Sequence, residues 1–229
     1  LASARLIHTV PTIVAPAGTE SCDHGAQMLI ALSGLPGTGK TALATAVARE
    51  LGAVLLSVDP VDSALASARV RETGTSGLAA YAVVAALAEQ NLAIGATVVA
   101  DAVNAVGEAK TFWIELARRR GVRLLAIETV VSDGDLHRER LAGRVRELAI
   151  AEPTWEAVVL RRDEWVPWPF AALVVDSAEP LALNVARVLE AVRMIASGGT
   201  AQGDPDPVGA GTRPADAGHN ETPEGTSTP

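Results

Sequence analysis

The residues with the most specific chemistry are the glycines and the lysine–threonine pair of Gly34-Leu35-Pro36-Gly37-Thr38-Gly39-Lys40-Thr41. Glycine, four residues, glycine, lysine and a hydroxyl residue is the pattern of a phosphate-binding loop. Glycines let backbone amides wrap closely round an anion, and a helix that starts at the lysine turns its positive end toward the same charge. In that role Lys40 bridges the β- and γ-phosphates of ATP, and the Thr41 hydroxyl holds Mg2+. The expected cradle runs from Gly34 through Ala42, with ATP and Mg2+ as its cofactors. The alternative is a glycine-rich turn that only joins a strand to a helix, against which the complete pattern and its flanks weigh.

A nucleotide cradle does not say where the γ-phosphoryl group goes, so the acidic residues carry the next step. Val98-Val99-Ala100-Asp101 is an apolar run closed by a carboxylate. A carboxylate there reaches the water shell of a magnesium ion near Thr41; the alternative is an aspartate that caps the following turn. Asp59, in Leu55-Leu56-Ser57-Val58-Asp59-Pro60, is expected at the same edge of a sheet. There it could orient and deprotonate an acceptor hydroxyl, or serve as a turn residue or helix cap before Pro60. Asp62 is a weaker version of the same idea.

Arginine supplies nearly all the positive charge, because Lys40 and Lys110 are the only lysines. Arg140 and Arg144, four apart in Leu136-His137-Arg138-Glu139-Arg140-Leu141-Ala142-Gly143-Arg144, are expected on one helix face. They could close over ATP and neutralise the transferring phosphoryl group, with one guanidinium plane stacked on adenine. Intrahelical pairing to Glu139 and Glu147 is the alternative. Arg118-Arg119-Arg120 closes a helix, where cations favour the dipole, and reads as surface. Trp155, Trp165 and Trp168 read as cover for the core beneath a proline-rich turn, with base stacking as the second option. His137 stands apart from any other candidate metal ligand.

These side chains need a scaffold, and the apolar periodicity supplies one. Five short runs read as strands: Met28 to Ser33, Val54 to Val58, Thr97 to Asp101, Arg123 to Val130 and Ala172 to Asp176. Helical patterns fill the gaps: Lys40 to Leu51, Ser76 to Ala93, Gly107 to Arg120, Gly134 to Leu148, Pro153 to Arg162 and Leu181 to Ala196. Ser132, with Asp135 three residues on, is the expected cap of the fourth helix. The alternation predicts βαβ units around a parallel sheet, an α/β fold.

Residues 26–196 have the length of one domain with a full core. Aromatic residues make up only 3% of the chain, so that core must be aliphatic. Residues 1–25 read as a partly irregular N-terminal extension, and the Gly-, Pro-, Thr- and Asp-rich residues 197–229 as a disordered tail. The formal net charge of −8 argues against binding long nucleic acid, which needs a basic face. Cys22 is the single cysteine, which excludes an internal disulfide. No apolar run is long enough for a membrane span, and residues 1–14 lack the zones of a secretory signal, so a cytoplasmic location is expected. Oligomeric state is not readable.

Taken together, these residues resemble the P-loop kinase group that includes polynucleotide 5′-hydroxyl kinase, gluconate kinase, chloramphenicol phosphotransferase and the zeta-toxin kinases. The likeness runs in order over about residues 27 to 190. Beyond the phosphate loop it rests on Val98-Val99-Ala100-Asp101-Ala102-Val103-Asn104, on the next helix with Phe112-Trp113 and Arg119-Arg120-Gly121-Val122, and on Arg140 with Arg144, similar to the paired lid arginines of these enzymes. The resemblance implies a three-layer P-loop NTPase fold of adenylate-kinase type, with a five-stranded parallel sheet in the order 2-3-1-4-5. It implies that Asp59 is the catalytic aspartate after strand two, and that Asn104 helps hold the acceptor or a nearby loop. One departure is plain: the family often keeps an arginine shortly after that aspartate, whereas here Pro60-Val61-Asp62-Ser63-Ala64-Leu65 follows and the first arginines are Arg69 and Arg71.

The expectation is therefore an ATP- and magnesium-dependent kinase that phosphorylates a hydroxyl of a small molecule, with a nucleic-acid 5′-hydroxyl kinase as the alternative. A nucleotide-binding regulator or ATPase switch would call for a water-positioning glutamine and ordered switch segments, and neither is clearly placed.

Overall fold

A computed structural model describes residues 27–69, 76–144, 148–149 and 151–197. The expectations for the N-terminal extension, and for the tail apart from Ser197, lie outside the described residues.

β1 (Met28–Ser33) is buried at every position, as its unbroken apolar run requires for a central parallel strand covered on both faces. β3 (Val98–Asp101) and β4 (Arg123–Val130) flank it, and β2 (Val54–Ser57) and β5 (Leu173–Asp176) form the edges. All pairings are parallel and the order is 2-3-1-4-5. The sheet thus matches the order that the resemblance implied.

Alternate residues of each strand feed two separate cores. Leu29, Ala31, Val98, Ala100, Leu124 and Ala126 point to one face, where α3 (Ser76–Ala93) and α4 (Gly107–Arg120) contribute Ala80, Val84, Leu92, Trp113 and Leu116. Met28, Ile30, Leu32, Val99, Leu125 and Ile127 point to the other, against α1 (Lys40–Leu51) and α7 (Leu181–Ala196), which contribute Leu43, Val47, Val188 and Ile195. Methyl and methylene groups do most of this work, at roughly 25 cal/mol for each Å² of apolar surface removed from water.

The structure corrects the sequence reading in four places. No helix is expected over α2 (Val58–Ser67), where Asp59 reads as a turn residue or helix cap and the second strand as running to Val58; β2 ends instead at Ser57. Pro60 suggested a break, yet proline is tolerated in the first helical turn, where its missing N–H has no intrahelical acceptor anyway. α5 (Gly134–Ala142) stops well short of Leu148, because Gly143 closes it: its N–H donates to Glu139 O and the next amide, Arg144 N–H, donates to Leu141 O. Its N-cap is Asp133, not Ser132; the Asp133 carboxylate accepts from the amides of Asp135 and Leu136. α6 (Trp155–Asp163) starts two residues late, because Thr154 caps it by accepting from Ala157 N.

Candidate active site

The carboxyl ends of β1, β2, β3 and β4 converge on the loop from Gly34 to Gly39. Gly34 (φ 149), Gly37 (φ 85) and Gly39 (φ 79) hold backbone angles that L side chains rarely adopt. α1 begins at Lys40 with Gly39 as its cap and no side-chain cap bond, so the first amides of the helix face the loop's concavity. Lys40 is buried, and its Nζ donates to Leu35 O at 3.0 Å across that concavity.

The loop is held from four sides. Thr38 Oγ1 donates to Leu35 O at 2.8 Å and meets Thr129 Oγ1 of β4 at 2.9 Å, while Thr129 Oγ1 bonds Ser33 O at 3.1 Å. Gly34 N donates to Val103 O at 3.1 Å. His137 Nε2 of α5 lies 2.7 Å from Pro36 O, with its ring edge-on to Trp155. Trp168 donates its indole N–H to Ser33 Oγ at 3.0 Å. Sequence spacing did not signal His137, Thr129 or Trp168 as supports of this loop, because their partners are about ninety or more residues away.

Asn104 also belongs to this scaffold. It adopts φ 49, a left-handed conformation that asparagine tolerates better than most residues. Its amide donates to Leu32 O at 2.7 Å and accepts the Trp113 indole N–H at 2.9 Å, and it is fully buried. Of the two roles implied for Asn104, this geometry is that of a loop anchor; both ends of its side-chain amide are committed away from an acceptor. Its backbone N–H donates to the Tyr81 hydroxyl at 3.1 Å. Burial pushes that phenol up to about 12, against the pull of the donated N–H.

Thr41 and Asp101 are brought together: Thr41 Oγ1 donates to Asp101 Oδ2 at 2.8 Å. Ser57 Oγ donates to the same oxygen at 3.2 Å. Asp101 is 6% exposed, and its Oδ1 is buried with no hydrogen-bond partner among the described residues. An orphaned carboxylate oxygen beside a hydroxyl at the end of the phosphate loop is the donor set that magnesium takes when phosphates complete its shell. The residues fit that ion.

Asp59 stands in the first turn of α2, with Asp62 one turn on and half-buried. Neither is the helix cap; that position belongs to Ser57. Arg140 and Arg144 do not share a helix face, since α5 ends between them. Arg140 donates to Ser177 Oγ at 2.8 Å and Ser177 O at 3.0 Å, in the loop after β5. Arg144 lies 3.9 Å from Asp59 and 3.5 Å from Glu152. Beside Gly39 and Ala42, a cavity of about 500 Å3 opens between Arg140, Thr129, Ser177 and Pro180.

Half-buried Trp165 and buried Lys110 form a separate group beside β4. Lys110 Nζ donates to Val166 O and sits 4.3 Å from the Trp165 ring centre. Burial lowers the Lys110 pKa and raises that of Glu128; in each case attraction between the two opposes the shift.

Residues 29–166 match the AAA domain family. No curated protein matches the chain. Among solved structures, a candidate kinase from Chloroflexus aurantiacus is 24% identical, with a TM-score of 0.61 over 77% of this chain and 99% of its own. A gluconokinase from Sinorhizobium meliloti is 18% identical, with a TM-score of 0.56 over 76% and 97%. The Mycobacterium tuberculosis APS kinase in complex with AMPPNP and APS is 16% identical, with a TM-score of 0.58 over 74% and 99%. The chain is similar in fold to all three.

Proposed function

The chain belongs to the AAA domain family, and we propose that it is a kinase that transfers the γ-phosphoryl group of ATP to a hydroxyl of a small molecule. One observation carries this reading. The Thr41–Asp101 contact, with its orphaned oxygen, lies at the mouth of a glycine-rich amide nest, and Asp59 stands in the first turn of α2, just past the end of the neighbouring β2.

The amides from Gly37 to Thr41 bind the β-phosphate, and Lys40 moves from Leu35 O to the β- and γ-phosphate oxygens. Thr41 and Asp101 would hold magnesium, which when bound offsets charge on those phosphates. Asp59 accepts the proton of the acceptor hydroxyl as its oxygen bonds to the γ-phosphorus. The bond from phosphorus to the β,γ-bridging oxygen breaks, and ADP leaves. The transition state is loose, so alignment of the acceptor counts for more than the basicity of the group that takes its proton. The cavity beside Arg140 takes the nucleoside, with the guanidinium held in plane by Ser177.

The acceptor is proposed to be small because carboxylates crowd the acceptor side, with Asp59 and Glu152 close to Arg144 and Asp62 one turn beyond Asp59 in α2, and because the whole chain carries a net charge of −8. A long polyanion would be repelled there. The location is proposed as cytoplasmic; among the described residues no helix is long and apolar enough to cross a membrane.

The test is a phosphotransfer screen with γ-labelled ATP across nucleosides, sugars, antibiotics and 5′-hydroxyl oligonucleotides, with Lys40→Ala as the blank. Label transfer to a small hydroxyl compound that Lys40→Ala loses is the expected result. Transfer to oligonucleotides alone would replace small-molecule kinase by end kinase. Acceptor-independent hydrolysis stimulated only by a protein would remove the kinase reading.

A further inference from the structure

Ser57 ends β2 and is the N-cap of α2, in an extended conformation (φ −108, ψ 136) that suits a capping residue. Serine is favoured at such positions because its hydroxyl accepts from an amide two or three residues on, and the bond stabilises the helix start. Here the side chain makes no cap bond. Its hydroxyl donates instead across the strand pair to Asp101 Oδ2, at 3.2 Å. The register makes this possible, since Ser57 lies directly opposite Asp101 at the ends of β2 and β3.

We propose that Ser57 is a positioning residue for the metal corner: its hydroxyl, withheld from the helix cap, fixes the Asp101 carboxylate with Oδ1 turned toward a nucleotide-bound magnesium ion. This rests on the proposed roles of Thr41 and Asp101.

The terminal torsion of an aspartate is broad, so one donor leaves the carboxylate plane loosely set. Thr41 alone is a poor anchor for it, because the same hydroxyl has the metal to serve. Ser57 supplies a second donor from a different strand, and both protons fall on one oxygen. The other oxygen is left buried and unsatisfied, an arrangement that costs stability unless a cation or its water occupies it. Ser57 also lies two residues before Asp59, so the same hydrogen bond ties the metal corner to the first turn of α2, which carries the proposed acceptor carboxylate.

Calorimetric titration with a non-hydrolysable ATP analogue, in EDTA and again in excess Mg2+, tests this on the full chain and on the Ser57→Ala and Ser57→Thr variants. Affinity in EDTA is expected to agree within about twofold across the three proteins. The gain in affinity conferred by Mg2+ falls by about three- to tenfold in Ser57→Ala and returns in Ser57→Thr. The metal-free melting temperature of Ser57→Ala stays within about 2 °C, because no cap bond is lost. Electron paramagnetic resonance with Mn2+ reads the same loss as a larger fraction of free ion. An undiminished Mg2+ gain in Ser57→Ala overturns the proposal, as does a lower melting temperature with the gain intact, which would make Ser57 a helix cap. A wild type with no Mg2+ gain overturns the reading of Thr41 and Asp101 themselves, and is distinguishable from both.

Discussion

Arg144 Nη2 stands 3.9 Å from Asp59 Oδ2, so the arginine expected over the phosphates engages the carboxylate expected under the acceptor. The contact is part of a chain, since Arg144 Nη1 also lies 3.5 Å from Glu152. The phosphoryl-neutralising role expected of Arg144 requires that it leave this position for the phosphoryl oxygens, which would release Asp59 to the acceptor. Asp59→Asn is expected to lower kcat by about 100- to 10,000-fold, the usual worth of a positioned base. ATP affinity stays within a few-fold, because the side chain lies on the acceptor side. Single-turnover transfer and calorimetry measure the two quantities. Equal losses in both would make Asp59 a structural residue.

The two arginines separate by function because the end of α5 separates them in space. Arg140 borders the cavity beside the phosphate loop and is held by Ser177. Arg140→Ala is therefore expected to weaken ADP and ATP alike, by about 10-fold or more for a lost charged hydrogen bond. Arg144→Ala is expected to leave ADP within about twofold and to reduce the transfer rate. Calorimetry with ADP distinguishes them, and identical behaviour of the two variants would contradict the assignment.

How much of this was legible depended on whether partners were close in sequence. The phosphate loop was, since its glycines, Lys40 and Thr41 are consecutive and their chemistry is local. The bounds of β1, β4, α1, α3, α4 and α7 were also readable from apolar periodicity and flanking glycines such as Gly52 and Gly121, both left-handed C-caps. The supports were not readable. Ser57 on Asp101, Thr129 on Thr38 and His137 on Pro36 arise from strand register and helix packing, and each residue type is ordinary at its position. α2 was missed because Pro60 signals a turn from one side and a helix start from the other, and only the tertiary setting decides. Arg140 and Arg144 were misjudged as one face because Gly143 was not taken as a stop.

Gly34 shows how little slack the loop has. A Cβ there would lie 2.3 Å from Thr129 Oγ1 and 2.6 Å from Thr129 O, and the residue's φ is 149. Thr129 cannot withdraw without breaking its bonds to Ser33 O and Thr38 Oγ1. Gly34→Ala is expected to cost about 1–3 kcal/mol in folding, the usual range for overpacking, and to abolish nucleotide binding. Thermal denaturation and calorimetry together check this. A variant with wild-type melting and ATP affinity would mean that the cradle is looser than described.

Glu128 and Lys110 make the pH dependence of stability a test of the cluster that they form with Trp165 at β4. Burial is the larger influence on both, raising the Glu128 pKa above its ordinary 4.5 and lowering the Lys110 pKa below its ordinary 10.5. Between 4.5 and its raised value, Glu128 keeps a proton in the folded protein that the unfolded chain has lost. Its contribution to stability is thus fully present below 4.5 and is lost as pH rises through the folded value. Lys110 acts in the opposite sense: its burial penalty is relieved as pH rises from its lowered value toward 10.5. Replacing Glu128 by Gln removes the acid-side titration while keeping a polar group for the Trp165 N–H. The difference in urea midpoint between wild type and Glu128→Gln is therefore expected to favour wild type most near pH 4.5, and to shift toward the variant as pH rises to neutrality. Titration of other groups cancels in that difference, apart from the further lowering of Lys110 once its partner is gone. A difference that stays flat across this range would show that Glu128 is as well solvated folded as unfolded.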